Sequence, residues 1–145
     1  MNLHVARFAD LDTATLYALL RLRTDVFVVE QHCPYPELDG RDTENGTRHL
    51  WFAASQAPAD PLAYLRLLAE PEGWIRIGRV CTAAKARGGG LSGRLLAAAL
   101  DMIDADTVVL DAQSHLVGFY ARFGFAASGP EYVEDGIAHV PMRRA

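Results

Sequence analysis

The stretch from Val80 to Gly93, V-C-T-A-A-K-A-R-G-G-G-L-S-G, constrains this chain more than any other. It joins a strand-like apolar run to a helix-like one through Arg87 and three successive glycines, Gly88, Gly89 and Gly90. Glycine enters left-handed backbone without a steric penalty. A glycine turn that opens a helix leaves N–H groups bare at the positive end of the helix dipole. Without a ligand such a run would only weaken the start of the helix it leads into. The stretch therefore reads as an anion cradle between a strand and a helix.

Around it the chain alternates two periodicities. Leu3, Val5, Ala6 and Phe8 suggest an opening strand, and Asp10 and Asp12 can cap a helix after it. Leu16, Leu19, Leu20, Val26 and Phe27 recur at helical spacing in a first helix that runs into V-F-V-V-E-Q, after which Pro34 and Pro36 forbid regular helix. Gln31 to Thr47 is then a Pro- and Gly-rich loop, of a length usually found in functional or disordered segments. Its acids Glu37, Asp39, Asp42 and Glu44 have only Arg41 beside them in sequence, and each taken singly reads as solvated loop surface.

Three strand-like runs follow, His49 to Ser55, Leu62 to Ala69 and Trp74 to Thr82, separated by P-A-D-P and E-P-E-G turns as in an antiparallel meander. In the third run Ile75 and Ile77 define an apolar face, but strict alternation would bury Arg79 and expose Val80. A β-bulge near Gly78 and Arg79 restores the phase and bends the strand away from its neighbour. After the cradle, Leu91, Leu95, Leu96, Ala99, Leu100, Met102 and Ile103 make a helix, and Thr107 to Ala112 a short apolar strand of the type buried within sheets. Ser114 can cap a helix carrying Leu116, Phe119, Tyr120 and Phe123 that stops at Gly124. Phe125 to Ala127, Tyr132 to Glu134 and Ile137 to Met142 read as closing strands, the last two joined by an Asp135-Gly136 hairpin turn. The order β-α-loop-β-β-β-α-β-α-β-β indicates an α/β fold with a mixed sheet.

At 145 residues the chain suits one domain, spanning residues 1–145. No apolar run approaches the roughly 20 residues of a membrane span, and no leader pattern is present, so the expected setting is cytoplasmic, away from membranes. Cys33 and Cys81 are too few for a disulfide framework and read as free thiols. His32, Cys33 and His49 match no common metal spacing, so no metal is expected. A net charge of −4 argues against a nucleic-acid partner and suits a cationic substrate. Monomer and homodimer are both compatible with the sequence.

These residues resemble the GNAT N-acetyltransferases, whose R/Q-x-x-G-x-G/A signature wraps the pyrophosphate of coenzyme A. Arg87, Gly90 and Ser92 occupy its positions, with Ser in place of the last Gly or Ala, and F-Y-A-R-F-G-F from Phe119 is similar to the family's fourth-helix ending. L-Y-A-L-L-R-L-R-x-D-V-F-V-V-E-Q from Leu16, C-P-Y-P-E-L-D-G-x-D from Cys33, A-Q-x-H-L from Ala112 and E-D-G-I-x-H-V from Glu134 resemble its ElaA-like branch over nearly the full length.

The resemblance implies a mostly antiparallel central sheet flanked by helices, and direct acyl transfer from acetyl-CoA to an amine acceptor through a tetrahedral intermediate. It assigns Arg87, Gly88, Gly89, Gly90, Leu91, Ser92 and Gly93 to the pyrophosphate. Backbone of Val80, Cys81 and Thr82 would meet the pantetheine arm, and Gln113 would stand where many members carry a cofactor-touching Asn. Tyr120 would protonate the departing thiolate, although as a packing aromatic it would need no catalytic role. An amine acceptor arrives protonated and needs a base. Glu30, at the mouth of the acidic loop, is the first candidate by position and His115 and His139 are the others, although Glu30 could instead pair with Arg23 or Arg79. Cys81 on a buried strand is expected to be inert. A module that binds acyl-CoA without catalysis is the alternative from a different class. A P-loop hydrolase is excluded, because no G-K-[ST] follows the glycines.

Overall fold

Alternating apolar side chains sort the strands into one sheet with a core on each face. The structure, a computed structural model, describes residues 1–145. In chain order the elements are β1 (Asn2–Ala6), α1 (Thr13–Thr24), β2 (Arg48–Ala53), β3 (Pro61–Ala69), β4 (Ile75–Thr82), α2 (Leu91–Met102), β5 (Val108–Gln113), α3 (Val117–Ala121), β6 (Ala126–Ala127), β7 (Tyr132–Glu134) and β8 (Ile137–Arg144). The sheet runs β1-β2-β3-β4-β5-β8-β6, with β7 paired to β8. Only β4 and β5 are parallel; the remaining pairs are antiparallel. The α/β fold with a mixed, mostly antiparallel sheet is as expected.

On one face Leu50, Leu65, Leu67, Ile77, Leu110 and Met142 pack against Leu95, Leu96 and Ala99 of α2 and Tyr120 of α3. On the other, Trp51, Ala53, Tyr64 and Cys81 lie against Leu19, Leu22 and Val26. Each leucine wholly withdrawn from water contributes roughly 1.5–3 kcal/mol, so the two cores clamp the sheet between helical layers.

The first helix departs from expectation at its end. Asp12 caps it as anticipated, accepting from the Thr15 N–H at 2.7 Å. At Asp25 it widens into a π-helix to Glu30, and the Cys33 N–H then reaches back to the Val28 carbonyl at 3.1 Å. The wider turn rotates the later side chains, leaving Val26 buried and Val29 exposed. Ser114 does not cap a helix as expected. Residues Ser114–Leu116 form a 3₁₀ turn, and the Ser114 hydroxyl donates to Glu131 at 2.8 Å, leaving α3 short.

The acidic loop is the larger correction. Glu37 and Asp42 are buried, not solvated. The fully buried Arg23 donates to Glu37 Oε2 at 2.8 Å and to Asp42 Oδ1 at 2.7 Å. Arg66 donates to Asp42 and to both oxygens of Asp39, and Arg79 to Glu37. His49 sits beneath, Nδ1 accepting from the Tyr64 hydroxyl at 2.7 Å and Nε2 donating to the Asp42 carbonyl at 3.1 Å. Burial disfavours ionised Asp42, but the Arg23 hydrogen bond and the charges of Arg23 and Arg66 outweigh it and hold the carboxyl below its ordinary value. Asp39 moves down in the same way, burial being overcome chiefly by Arg66.

A carboxyl whose folded value is depressed contributes stability that is complete above its unfolded pKa of about 3.9 and is lost as pH falls through the folded value. Stability should therefore decline progressively in acid below about pH 4. Arg23→Ala should lower the unfolding free energy in urea at pH 7 by about 3–5 kcal/mol, because it takes from two buried carboxylates the cation they share and leaves Glu37 only Arg79 and Asp42 only Arg66. A loss under about 1 kcal/mol, the range of an exposed pair, would contradict that role.

Candidate active site

The bend in β4 creates the site. Tyr64 stands opposite Cys81 and Arg66 opposite Gly78, so Arg79 and Val80 together face Leu65 alone. This is the expected bulge. Val80 returns to the face of Ile75 and Ile77, while Arg79 takes a left-handed φ of 54°. Such backbone costs a non-glycine residue roughly 1–2 kcal/mol. Arg79 is held there by Glu37, with Nε donating to Oε1 at 2.7 Å and Nη2 to the carbonyl at 3.0 Å, and by the Tyr35 ring 5.5 Å from its guanidinium. Bent at this point, β4 pairs with β5 only at Ile75–Val108 and Arg76–Val109. Beyond them the strands part over a cleft of about 880 Å³.

At the far end of β4 lies the cradle. Gly88 and Gly90 have φ of 89° and 77°, and a Cβ added at Gly88, Gly89 or Gly90 would meet no atom within 4 Å. From Gly88 through Gly93 no backbone N–H has a backbone acceptor. Bare N–H groups around open space at the start of α2 fit a pyrophosphate. Gly90 is the N-cap of α2, and the Ser92 hydroxyl bonds the Thr82 hydroxyl, fastening strand end to helix start. Arg87 donates from Nε to the Thr82 carbonyl at 3.1 Å and from Nη2 to Glu30 at 2.8 Å. Glu30 thus pairs with Arg87, and the expected alternatives Arg23 and Arg79 are engaged by the acidic loop.

Residues 18–145 match the acetyltransferase (GNAT) domain. The chain belongs to the GNAT acetyltransferase family. A UPF0039 protein of Mycobacterium tuberculosis is 50% identical over 138 residues, covering 93% of this chain and 87% of the relative. The crystal structure of Escherichia coli ElaA is 35% identical with a TM-score of 0.89, covering 99% of each chain. An acyl-CoA N-acyltransferase from Pseudomonas aeruginosa is 46% identical with a TM-score of 0.90 over 99% of each chain. This is an ElaA-like member of the acyl-CoA N-acyltransferases.

In this GNAT every residue assigned from the sequence to the cofactor or to catalysis lines the cleft except Gly89. Tyr120 reaches it from α3, 6% exposed, and its hydroxyl value is pushed up to about 12 by burial and by the Cys81 thiol. Burial likewise pushes Cys81 to about 12, leaving it a poor nucleophile. Gln113 donates to the Gln31 side chain at 3.3 Å. His139 stands opposite Gln113 across β5 and β8, stacks on Tyr132 at 5.6 Å, and donates from Nδ1 to the Ile137 carbonyl at 2.8 Å. That bond fixes the tautomer and leaves Nε2 with a free lone pair. His115 is exposed at the rim.

Sequence reasoning missed Tyr35, Arg66, Arg76, Asp111 and Tyr132, which also line the cleft. None of these five carried a local signal, unlike Arg79, which the broken alternation at Gly78 marked. No helix is long and apolar enough to cross a membrane.

Proposed function

We propose that this protein transfers an acetyl group from acetyl-CoA directly to a primary amine of a small molecule or peptide. The observation that carries this reading is the continuity of one cleft. It runs from the bare N–H groups of residues 88–93, along the open edge of β4, to Tyr120 and His139. Arg87 and the cradle hold the pyrophosphate, and backbone of Val80, Cys81 and Thr82 pairs with the pantetheine amides as a missing strand would. When bound, the thioester supplies the activated acyl group.

His139 takes the proton of the arriving ammonium on Nε2, and the amine nitrogen then attacks the thioester carbonyl. The tetrahedral intermediate breaks its C–S bond to release the thiolate while the nitrogen's second proton passes to solvent. Glu30 already neutralises Arg87 and is better suited to positioning that guanidinium than to proton abstraction. Tyr120 keeps its proton through the neutral range, because burial holds it near 12. A thiol near ~8.5 is the stronger acid, so Tyr120 stabilises the departing thiolate mainly as a hydrogen-bond donor.

Release of free CoA from acetyl-CoA in the presence of an amine panel tests the activity; hydrolysis unaffected by any amine would favour a binding module. Tyr120→Phe should reduce kcat by roughly 10² while acyl-CoA binding stays within about twofold. Wild-type turnover in that variant would remove Tyr120 from the chemistry. In pH–rate profiles His139→Gln should lose the acidic limb and Glu30→Gln should keep it. The opposite pattern would make Glu30 the base.

A further inference from the structure

Resting on the N-acyltransferase reading above, we propose that the acceptor carries a carboxylate at a distance from its amine, bound by Arg76 and Arg79 at the cleft floor beside Gly78. Three arginines meet at that glycine. Arg66 stands opposite Gly78 across the sheet, Arg76 precedes it by two residues on the same face, and Arg79 follows in the bulge. All three line the cleft. Gly78 has no side chain to fill the floor between them; a Cβ there would meet only Arg66 Nε, at 3.9 Å.

Their acidic partners leave donors over. Arg76 gives Nη1 to Asp111 at 2.6 Å and sets Nε 3.4 Å from Glu70, while its Nη2 has no hydrogen bond. Arg79 uses Nε and Nη2 on Glu37, and its Nη1 has none. Arg66 Nε is buried and unpartnered behind them. Both accessible side chains are at most one third exposed, 33% for Arg76 and 20% for Arg79. Planar guanidinium donors in such partly dehydrated positions favour a carboxylate over any neutral group.

The register sets the spacing. Arg76 lies opposite Val109 on β5, and His139 lies opposite Gln113 on the same strand. At about 3.3 Å per residue those β5 positions are about 13 Å apart. The carboxylate therefore belongs several bonds from the amine, as in an ω-amino acid or a short peptide. An α-amino acid would be too short.

The test compares ω-amino acids from glycine to 6-aminohexanoate with alkylamines of matching chain length, using CoA release and titration calorimetry on the CoA-bound protein. At the longer chain lengths the amino acids should exceed their matched amines in kcat/KM by about tenfold or more, the size of one charge-assisted hydrogen-bond pair. Arg76→Gln, at a part-exposed site, should collapse that ratio toward one, and Arg79→Lys should narrow it while keeping the fold. A ratio of one or below at every length, with amines still acylated, overturns the carboxylate site and leaves the transferase reading standing. If no amine of either series releases CoA, the transferase reading fails, and calorimetry decides the site. Binding of the longer amino acids that Arg76→Gln weakens about tenfold supports it, and absence of binding overturns it.

Discussion

Arg23, wholly enclosed by α1 and the sheet, divides its guanidinium between Glu37 and Asp42, which are shared in turn with Arg79 and Arg66. Isolated buried charges of either sign would be intolerable here. Interleaved, they supply most of one another's hydrogen bonds, with Arg66 Nε left over. The rest of the site follows from this arrangement. It lays the loop after the first helix onto the sheet as the roof of the cleft, and it fixes Glu37 where Arg79 can be held in a backbone conformation that non-glycine residues avoid.

That local strain has a large effect on the sheet. One extra residue in β4 turns its outer edge away from β5, and a parallel pair that could have zipped up closes only at Ile75 and Arg76. The opened edge leads directly to the glycine turn, whose N–H groups point at nothing in the protein. Donors left bare in two neighbouring places are better explained by a ligand that pairs with strand and loop together than by two separate defects. Membership of the GNAT family supports the proposal that this ligand is an acyl-CoA.

Local features were legible in the sequence. The glycine turn, the meander, the hairpin at Asp135-Gly136 and the bulge all announce themselves through backbone demands or broken alternation within a few residues. The ion-pair network did not. Arg23 and Glu37 lie 14 residues apart and Arg79 and Glu37 lie 42 apart, so nothing local distinguishes Glu37 from a solvated loop acid. The pairing of Glu30 with Arg87 spans 57 residues and depends on a π-helix that a 3.6-residue pattern cannot reveal. Tyr120 was visible as an aromatic at helical spacing, but its place beside Cys81 under the diverging strands needed the fold.

Acyl-CoA seated as the missing strand beside β4, with its pyrophosphate in the glycine turn, is the central claim. Hydrogen exchange of backbone amides with and without saturating acetyl-CoA tests it most directly. Slowed exchange at Val80 to Thr82 together with Gly88 to Gly93 is the predicted result. Saturable binding that leaves both segments unprotected would contradict it.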